Sequence, residues 1–567
     1  MPDDLDQAIG RFLFAQFSDI DLRVRWRAAH CLRAITGLQG GWALKSVLEV
    51  YNQKADNAFR LREAPFYWLG ARLFTVMTAA RIVLDQPESV APLASTLFTI
   101  ATDDELPHYL IRGYAKEALE ILLADAPTLL TASEKKALAD INRSKVKSKP
   151  RKEGEYYREL ERHTERKGAR FQFNSMDTIP YWYSPLYRHF AELTPEKFFN
   201  TLERWLIDVW KVNPESNWWD NEPRRKRYGR DSMASYHGHG SQPTIERYGT
   251  YLEWHAMFCG LGEWLEMEPL LVPEHHSDSI DYWSRLWKPT EAPTWLADRR
   301  GHRPLDKEFI ADKGGDDNHW LRRVSKQRFL AAVCGGTDST QGVLTVYGDW
   351  IVSGKTRQID IEISTALVEP ASASALLRTL CGEEKRFWLP TEHEEHEGEE
   401  SYDVPPFRLY GWLSRAGSDT EYDQDDPLRA EVSDLKVKPA ISLVSKYKLT
   451  ENGRPVSAWT QGAAQEWFRY EAWSDWGDRD QERRGRLRPV GSNGYRLLVR
   501  KDALLTIMKS ENLDLIVDIK IERRLESEYG EPSQWDDKKR RRTSRKVLVF
   551  RQNGEIEDET GRIGTWR

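Results

Sequence analysis

At 567 residues, net charge −6 and 30% charged residues, the chain has room for two to four domains, and nucleic-acid contact would have to come from local patches. Four scattered cysteines (Cys31, Cys259, Cys334, Cys381) without a CxxC pair exclude a zinc ribbon and a secreted disulfide scaffold, and read as reduced cytoplasmic thiols. No run approaches membrane-span length and no basic N-terminal segment leads into an apolar core, so neither membrane contact nor a leader is expected. Tryptophan is abundant, 23 residues mostly beyond position 180, and reads first as core and interface filler.

Residues 1–140 read as helices. Asp21–Ile35 puts Val24, Ala28, Cys31 and Ile35 on one face, with Ser18 or Asp19 as cap and Gly37 as stop. Further helices are predicted over Phe66–Leu84, Val90–Ala101 and Tyr109–Ala124, punctuated by prolines. Successive helices with short connections suggest a HEAT-type α-solenoid. Residues 141–170 turn basic and poor in aliphatics, which predicts a linker followed by an exposed helix.

Residues 171–325 are rich in Trp, Tyr and Pro, with a helix predicted from Pro195 to Val212. The stretch Ile245–Leu265 is apolar on most of its circumference, so it is expected to be the central packing helix, with Thr244 placed to cap it. From 326 the period switches to two. VLTVYGDWIV and QIDIEIS predict a hairpin turning at Ser353-Gly354. LDLIVDIKIERR places Leu513, Leu515, Val517, Ile519 and Ile521 on one face. KVLVF and EIEDE flank a Gln552-Asn553-Gly554 turn, and Asp502–Ser510 reads as a short helix.

Several motifs bear on chemistry. Gly348–Thr356 ends in GKT but has five residues between its glycines and a strand after it, so it is not a phosphate-binding loop. His393 and His396 are three apart in an acidic run, and His237 and His239 two apart; neither spacing suits one metal on one helix face. Asp518 and Lys520 form a DxK that, with Asp514 or Glu511, could serve a metal-dependent nuclease; the plainer reading is the polar face of a strand. Two basic runs, Arg224, Arg225, Lys226 and Arg227 and then Lys538, Lys539, Arg540, Arg541 and Arg542, could contact phosphates beside Trp218, Trp219, Tyr228 and Trp535. Solvated loops are the plainer reading there too.

Some segments carry a resemblance. Asp21–Ile35 looks like the HEAT-type segment in the C-terminal halves of large bacterial antiviral STAND-like (Avs-type) ATP-binding defence proteins. Glu246–Leu265 resembles a helix of theirs, with Tyr251, Trp254 and Ala256 near the equivalent places. Trp295–Pro304, Gly348-Asp349-Trp350 and Gly494–Asp502 are similar to later elements, although the acidic–proline core of the first is missing. The resemblance implies a C-terminal sensor acting without its own effector or motor, as a separate subunit or a fragment. No stretch matches the family's nucleotide-binding residues.

The expected fold is α+β and multidomain: a HEAT-like α-solenoid (1–140), a basic linker and exposed helix (141–170), a Trp-rich helical domain around 245–265 (171–325), and an α+β domain with an antiparallel sheet (326–567). The expected function is a non-catalytic, cytoplasmic recognition or scaffold subunit of antiviral defence, with an ATPase or effector partner and neither cofactor nor metal. Two alternatives stand beside it: a metal-dependent nuclease subunit using Asp518 and Lys520, and a nucleic-acid-binding adaptor using the basic runs.

Overall fold

The computed structural model describes residues 4–53, 67–151, 159–160, 168–213, 239–240, 242–290, 295–299, 316–322, 324–334, 342–353, 357–382, 389, 392–393, 409–410, 413–418, 423, 426–428, 435–452, 458–462, 465–474, 493–525 and 540–566. The chain is α+β and forms two compact units: residues 1–293 with 423–427, and residues 294–422 with 428–567. No described helix is long and apolar enough to cross a membrane.

The first unit is helical. Its longer helices are α1 (Leu5–Phe17), α2 (Leu22–Gln39), α3 (Trp42–Asn52), α4 (Trp68–Asp85), α5 (Ala94–Ala101), α6 (Tyr109–Asp125), α7 (Ala132–Asp140), α8 (Pro195–Glu203) and α9 (Tyr248–Met267). The Asp21 carboxylate caps α2 by accepting from the Arg23 N–H at 2.9 Å. The helix runs past Gly37 to Gly40, whose φ of 85° supplies the left-handed stop that Gly37 was expected to give. Gly10 of α1 lies so close to Ser46 of α3 that a Cβ would sit 2.7 Å from the serine's own.

Helices α4 and α9 are buried almost all round and form the interior. Tyr67, before α4, stacks on Tyr251 of α9 at 4.3 Å, and the Tyr251 hydroxyl accepts from the Leu69 N–H at 2.9 Å. Helix α9 begins later than expected, because Thr244 and Ile245 are tied to the start of α2. The Thr244 carbonyl accepts from the Leu22 N–H, and Ile245 bridges Asp21. The basic segment after α7 is likewise pinned: the Lys145 and Lys149 N–H groups donate to the Leu265 and Leu270 carbonyls. Its expected exposed helix falls largely on residues outside those described. Helix α8 continues as a π-helix through Val209, close to the predicted Val212.

The second unit is built on an antiparallel sheet. Its helices are α10 (Asp317–Arg322), α11 (Lys326–Val333), α12 (Pro370–Gly382), α13 (Ile441–Tyr447) and α14 (Lys501–Glu511). Its strands are β1 (Val343–Ser353), β2 (Arg357–Val368), β3 (Glu392–His393), β4 (Leu409–Tyr410), β5 (Ser414–Ser418), β6 (Leu435–Pro439), β7 (Leu449–Asn452), β8 (Ala458–Gln461), β9 (Gln465–Ser474), β10 (Asn493–Arg500), β11 (Asp514–Leu525), β12 (Arg541–Phe550), β13 (Glu555–Asp558) and β14 (Gly561–Thr565). Among the described residues the main sheet runs β14-β13-β12-β11-β2-β1-β10-β9-β8-β7, with β4 pairing the end of β2 and a small β3-β5-β6 sheet beside it.

Alternation along β11 sends Leu515, Val517, Ile519 and Ile521 into the main core with Ile359, Ile361 and Ile363 of β2. On the opposite face, α12 covers Ile516, Val547 and Val549. Farther along that face the strands carry Asp518, Lys520, Glu522 and Arg524, where the apolar cover gives way to charge. One expectation is corrected here. Arg541 and Arg542 belong to a strand, not to a solvated loop: β12 begins at Arg541 and stays in register with β11 to its end.

Candidate functional site

The charged half of the sheet face is set by register. Going across the strands, Asp349 of β1 faces Glu362 of β2, Glu362 faces Lys520 of β11, and Lys520 faces Arg545 of β12. In the adjacent row Asp360 faces Glu522, which faces Thr543. Cross-strand neighbours on one face are within side-chain reach of each other, so these rows form a network.

Asp518 and Lys520 lie together on this face, and each is bound to a counter-charge. Arg545 grips Asp518 by both oxygens, donating from Nε at 2.8 Å and Nη2 at 2.6 Å, while its Nη1 donates to the Leu380 carbonyl at 3.2 Å. Lys520 Nζ sits 2.5 Å from Glu362 Oε1. The suggested partners are elsewhere. Asp514 is buried, receives Arg551 Nη1 at 2.8 Å, and accepts from the Gln552 N–H at 3.0 Å; Glu511 pairs with Lys446 on the surface. The DxK therefore does not assemble with either acid. A bidentate Arg–carboxylate pair is strong for its exposure, so Asp518→Asn is expected to cost about 1 kcal/mol in a urea titration.

Reading the sequence alone passed over Asp349, Asp360 and Glu362, although the polar half of QIDIEIS names two of them. The Asp349 carboxyl is pushed up to about 6, first by desolvation on the crowded sheet face, then by the like charges of Glu362 and Asp360, with Lys520 acting in the opposite sense. Such a group can hold or release a proton near neutrality. Among the described residues, no group of three His, Cys, Asp or Glu side chains could hold a metal ion.

The chain matches no family model and no curated protein.

Cavities among the described residues occur in both units. In the sheet unit a cleft of about 680 Å³ is lined by Leu367, Glu369, Ser442, Lys446, Glu511 and Asn512, and its Lys446 and Glu511 neutralise one another. In the helical unit a void of about 30 Å³ lies beside Arg25, Trp26, Glu246 and Trp254, room for a water and little more. Arg25 is buried between the rings of Tyr67 and Phe74, pairs with Glu246, and donates from Nε to the Asp19 carbonyl at 2.6 Å. His255 of α9 meets His108 at 2.9 Å. Burial pushes His108 down to about 3 and His255 well below its ordinary range, so both imidazoles are neutral at physiological pH. These are structural polar contacts of the interior.

Of the remaining sequence candidates, Arg540, Arg541 and Arg542 gather at the β11–β12 end. Arg224, Arg225, Lys226, Arg227, Lys538, Lys539, His237 and His396 lie outside the described residues. His239 is described: its Nδ1 lies 2.8 Å from the Tyr181 hydroxyl, and its N–H donates to Asp177.

Proposed function

We propose that the chain is a non-catalytic recognition or scaffold subunit, cytoplasmic and of the kind its resemblance implies in bacterial antiviral defence. It binds a partner protein or a phage-derived target and passes that event to an ATPase or effector partner. Its N-terminal helices, read as a HEAT-like solenoid, serve as the contact surface. Differential affinity for two states of the partner would carry the signal.

The observation that supports this reading is the double ion pairing on the sheet. Arg545 occupies Asp518 and Glu362 occupies Lys520, so the side chains best suited to metal-assisted hydrolysis serve the ladder instead. The helical unit, for its part, exposes Leu5 (71%) and Phe12 (54%) one above the other on α1, and Leu38 (83%) on α2. These are apolar groups free to meet another protein surface.

The test is purification of the tagged chain from its native host, with and without nuclease, together with a cleavage assay on the purified chain. An ATPase or effector protein that remains in fixed ratio after nuclease treatment is the expected result, with DNA and RNA left intact in the presence of Mg²⁺. Cleavage by the purified chain that disappears in Asp518→Ala would replace this reading with the nuclease one.

A further inference from the structure

The end of the β11–β12 pair gathers arginines in a way the sheet alone does not favour. Arg523 and Arg524, near the end of β11, stand directly across from Arg542 and Arg541, at the start of β12, and Arg540 immediately precedes them. Like charges in directly opposed cross-strand positions repel. Part of this is met locally. Glu522 receives Arg541 Nε at 2.5 Å and Arg524 Nη2 at 3.4 Å, so one carboxylate serves two guanidiniums that remain 46% and 33% exposed. Arg523 is buried, stacks 5.0 Å from the Trp320 ring centroid and donates to the Trp320 carbonyl. Arg542 is exposed and Arg540 half-exposed, and neither side chain has an ion pair or hydrogen bond among the described residues.

We infer that this arginine end, through the unpaired Arg540 and Arg542, binds the phosphate backbone of nucleic acid. The inference is independent of the protein-partner reading. Three features point to phosphate. All the cations are arginines, whose planar forks match phosphate oxygens two at a time. Arg542 lies on β12 and Arg540 immediately before it, and neither guanidinium is held by a counter-charge among the described residues, so both can meet repeated anions. The opposition of Arg542 to the buried Arg523 is relieved when an anion lies on Arg542. Among the described residues the aromatic beside the cluster is Trp320, which is buried beneath Arg523 and Arg357 and cannot stack on a base. Contact is therefore with the backbone, and binding is independent of sequence.

The test uses the full chain and fluorescein-labelled duplex DNA, single-stranded DNA and single-stranded RNA, titrated by anisotropy over a series of salt concentrations. The double variant Arg540→Ser/Arg542→Ser removes two cations that make no described contact, and its melting curve should overlay that of the parent. Its affinity should fall at least about tenfold at low salt, and the slope of log affinity against log salt should flatten by about 2. Lys135→Ser/Lys136→Ser, an equal charge change on α7, should alter neither by as much. Failure of the parent to bind any oligonucleotide would overturn the inference, as would equal binding by the arginine variant. Capture of labelled polyglutamate with no oligonucleotide binding would also overturn it, in favour of an acidic protein partner.

Discussion

Gly262→Ala should destabilise the protein by about 3 kcal/mol, although alanine is the better helix former by about 1 kcal/mol. Gly262 lies in α9, and a Cβ there would fall 1.8 Å from the Pro107 carbonyl oxygen and 2.8 Å from its carbon. The obstacle is backbone, so no rotamer change relieves it; α9 or the approach to α6 must move. That movement reaches the interior, because His108, next to Pro107, caps α6 and meets His255 of α9 at 2.9 Å. Gly113→Ala is the control. It is also helical, and its Cβ would meet only the Asn142 side-chain nitrogen at 3.3 Å, which can shift by a few tenths of an ångström. Gly113→Ala should be neutral or slightly stabilising. Urea unfolding of the two variants and the parent decides the matter; a Gly262→Ala protein as stable as the parent would rule out the close approach.

What the sequence disclosed, and what it did not, follows from how far each interaction reaches along the chain. Strand β11 was legible because period-two alternation is local: Leu515 through Ile521 carry it unaided. The burial of α9 was legible from its unbroken apolar circumference. Its start was not, since Thr244 and Ile245 are held out of the helix by Leu22 and Asp21, more than two hundred residues earlier. The first half of β12 carries Arg, Thr and Ser with no apolar rhythm. It is strand because β11 supplies a partner for every position from Arg541 onward. The candidate site behaves likewise. DxK named Asp518 and Lys520 correctly as one strand face, but their ionic partners, Arg545 and Glu362, come from other strands. Local spacing cannot choose among the many cations and acids of the chain. The Asp349–Glu362 juxtaposition follows from the exact length of the β1–β2 connection, which sets the register one residue at a time.

The same long reach makes Arg81 the charge whose loss should be felt most. It lies in α4 at 4% exposure, with Nη1 2.7 Å from Asp423 Oδ2, a further bond to Thr290 Oγ1, and its guanidinium 5.5 Å from the Trp26 ring centroid. Thr290 is fixed in turn by the Tyr114 hydroxyl, which donates to its carbonyl at 3.0 Å, and His30 meets Asp426 at 2.7 Å nearby. Arg81→Met keeps the packing and leaves Asp423 buried without its counter-charge, an expected loss of about 3–5 kcal/mol. Adding Asp423→Asn should recover part of that loss.

The pH dependence supplies a second reading of the same contact. Burial pushes the Asp423 carboxyl up to about 6 against the opposing pull of Arg81. In the unfolded chain it titrates near 4. Between those values the native state holds a proton that the unfolded state has released. The stability this contributes is fully present below about pH 4 and is lost as pH rises toward 6, about 3 kcal/mol over the window. Asp423→Asn removes that slope, and Arg81→Met extends it to higher pH because the carboxyl loses the guanidinium that favours its charged form. Urea midpoints measured from pH 4.5 to 7 should therefore converge for parent and Asp423→Asn at the acid end and separate toward neutrality. Parallel curves would mean that Asp423 titrates as an ordinary carboxylate and that Arg81 is held by packing alone.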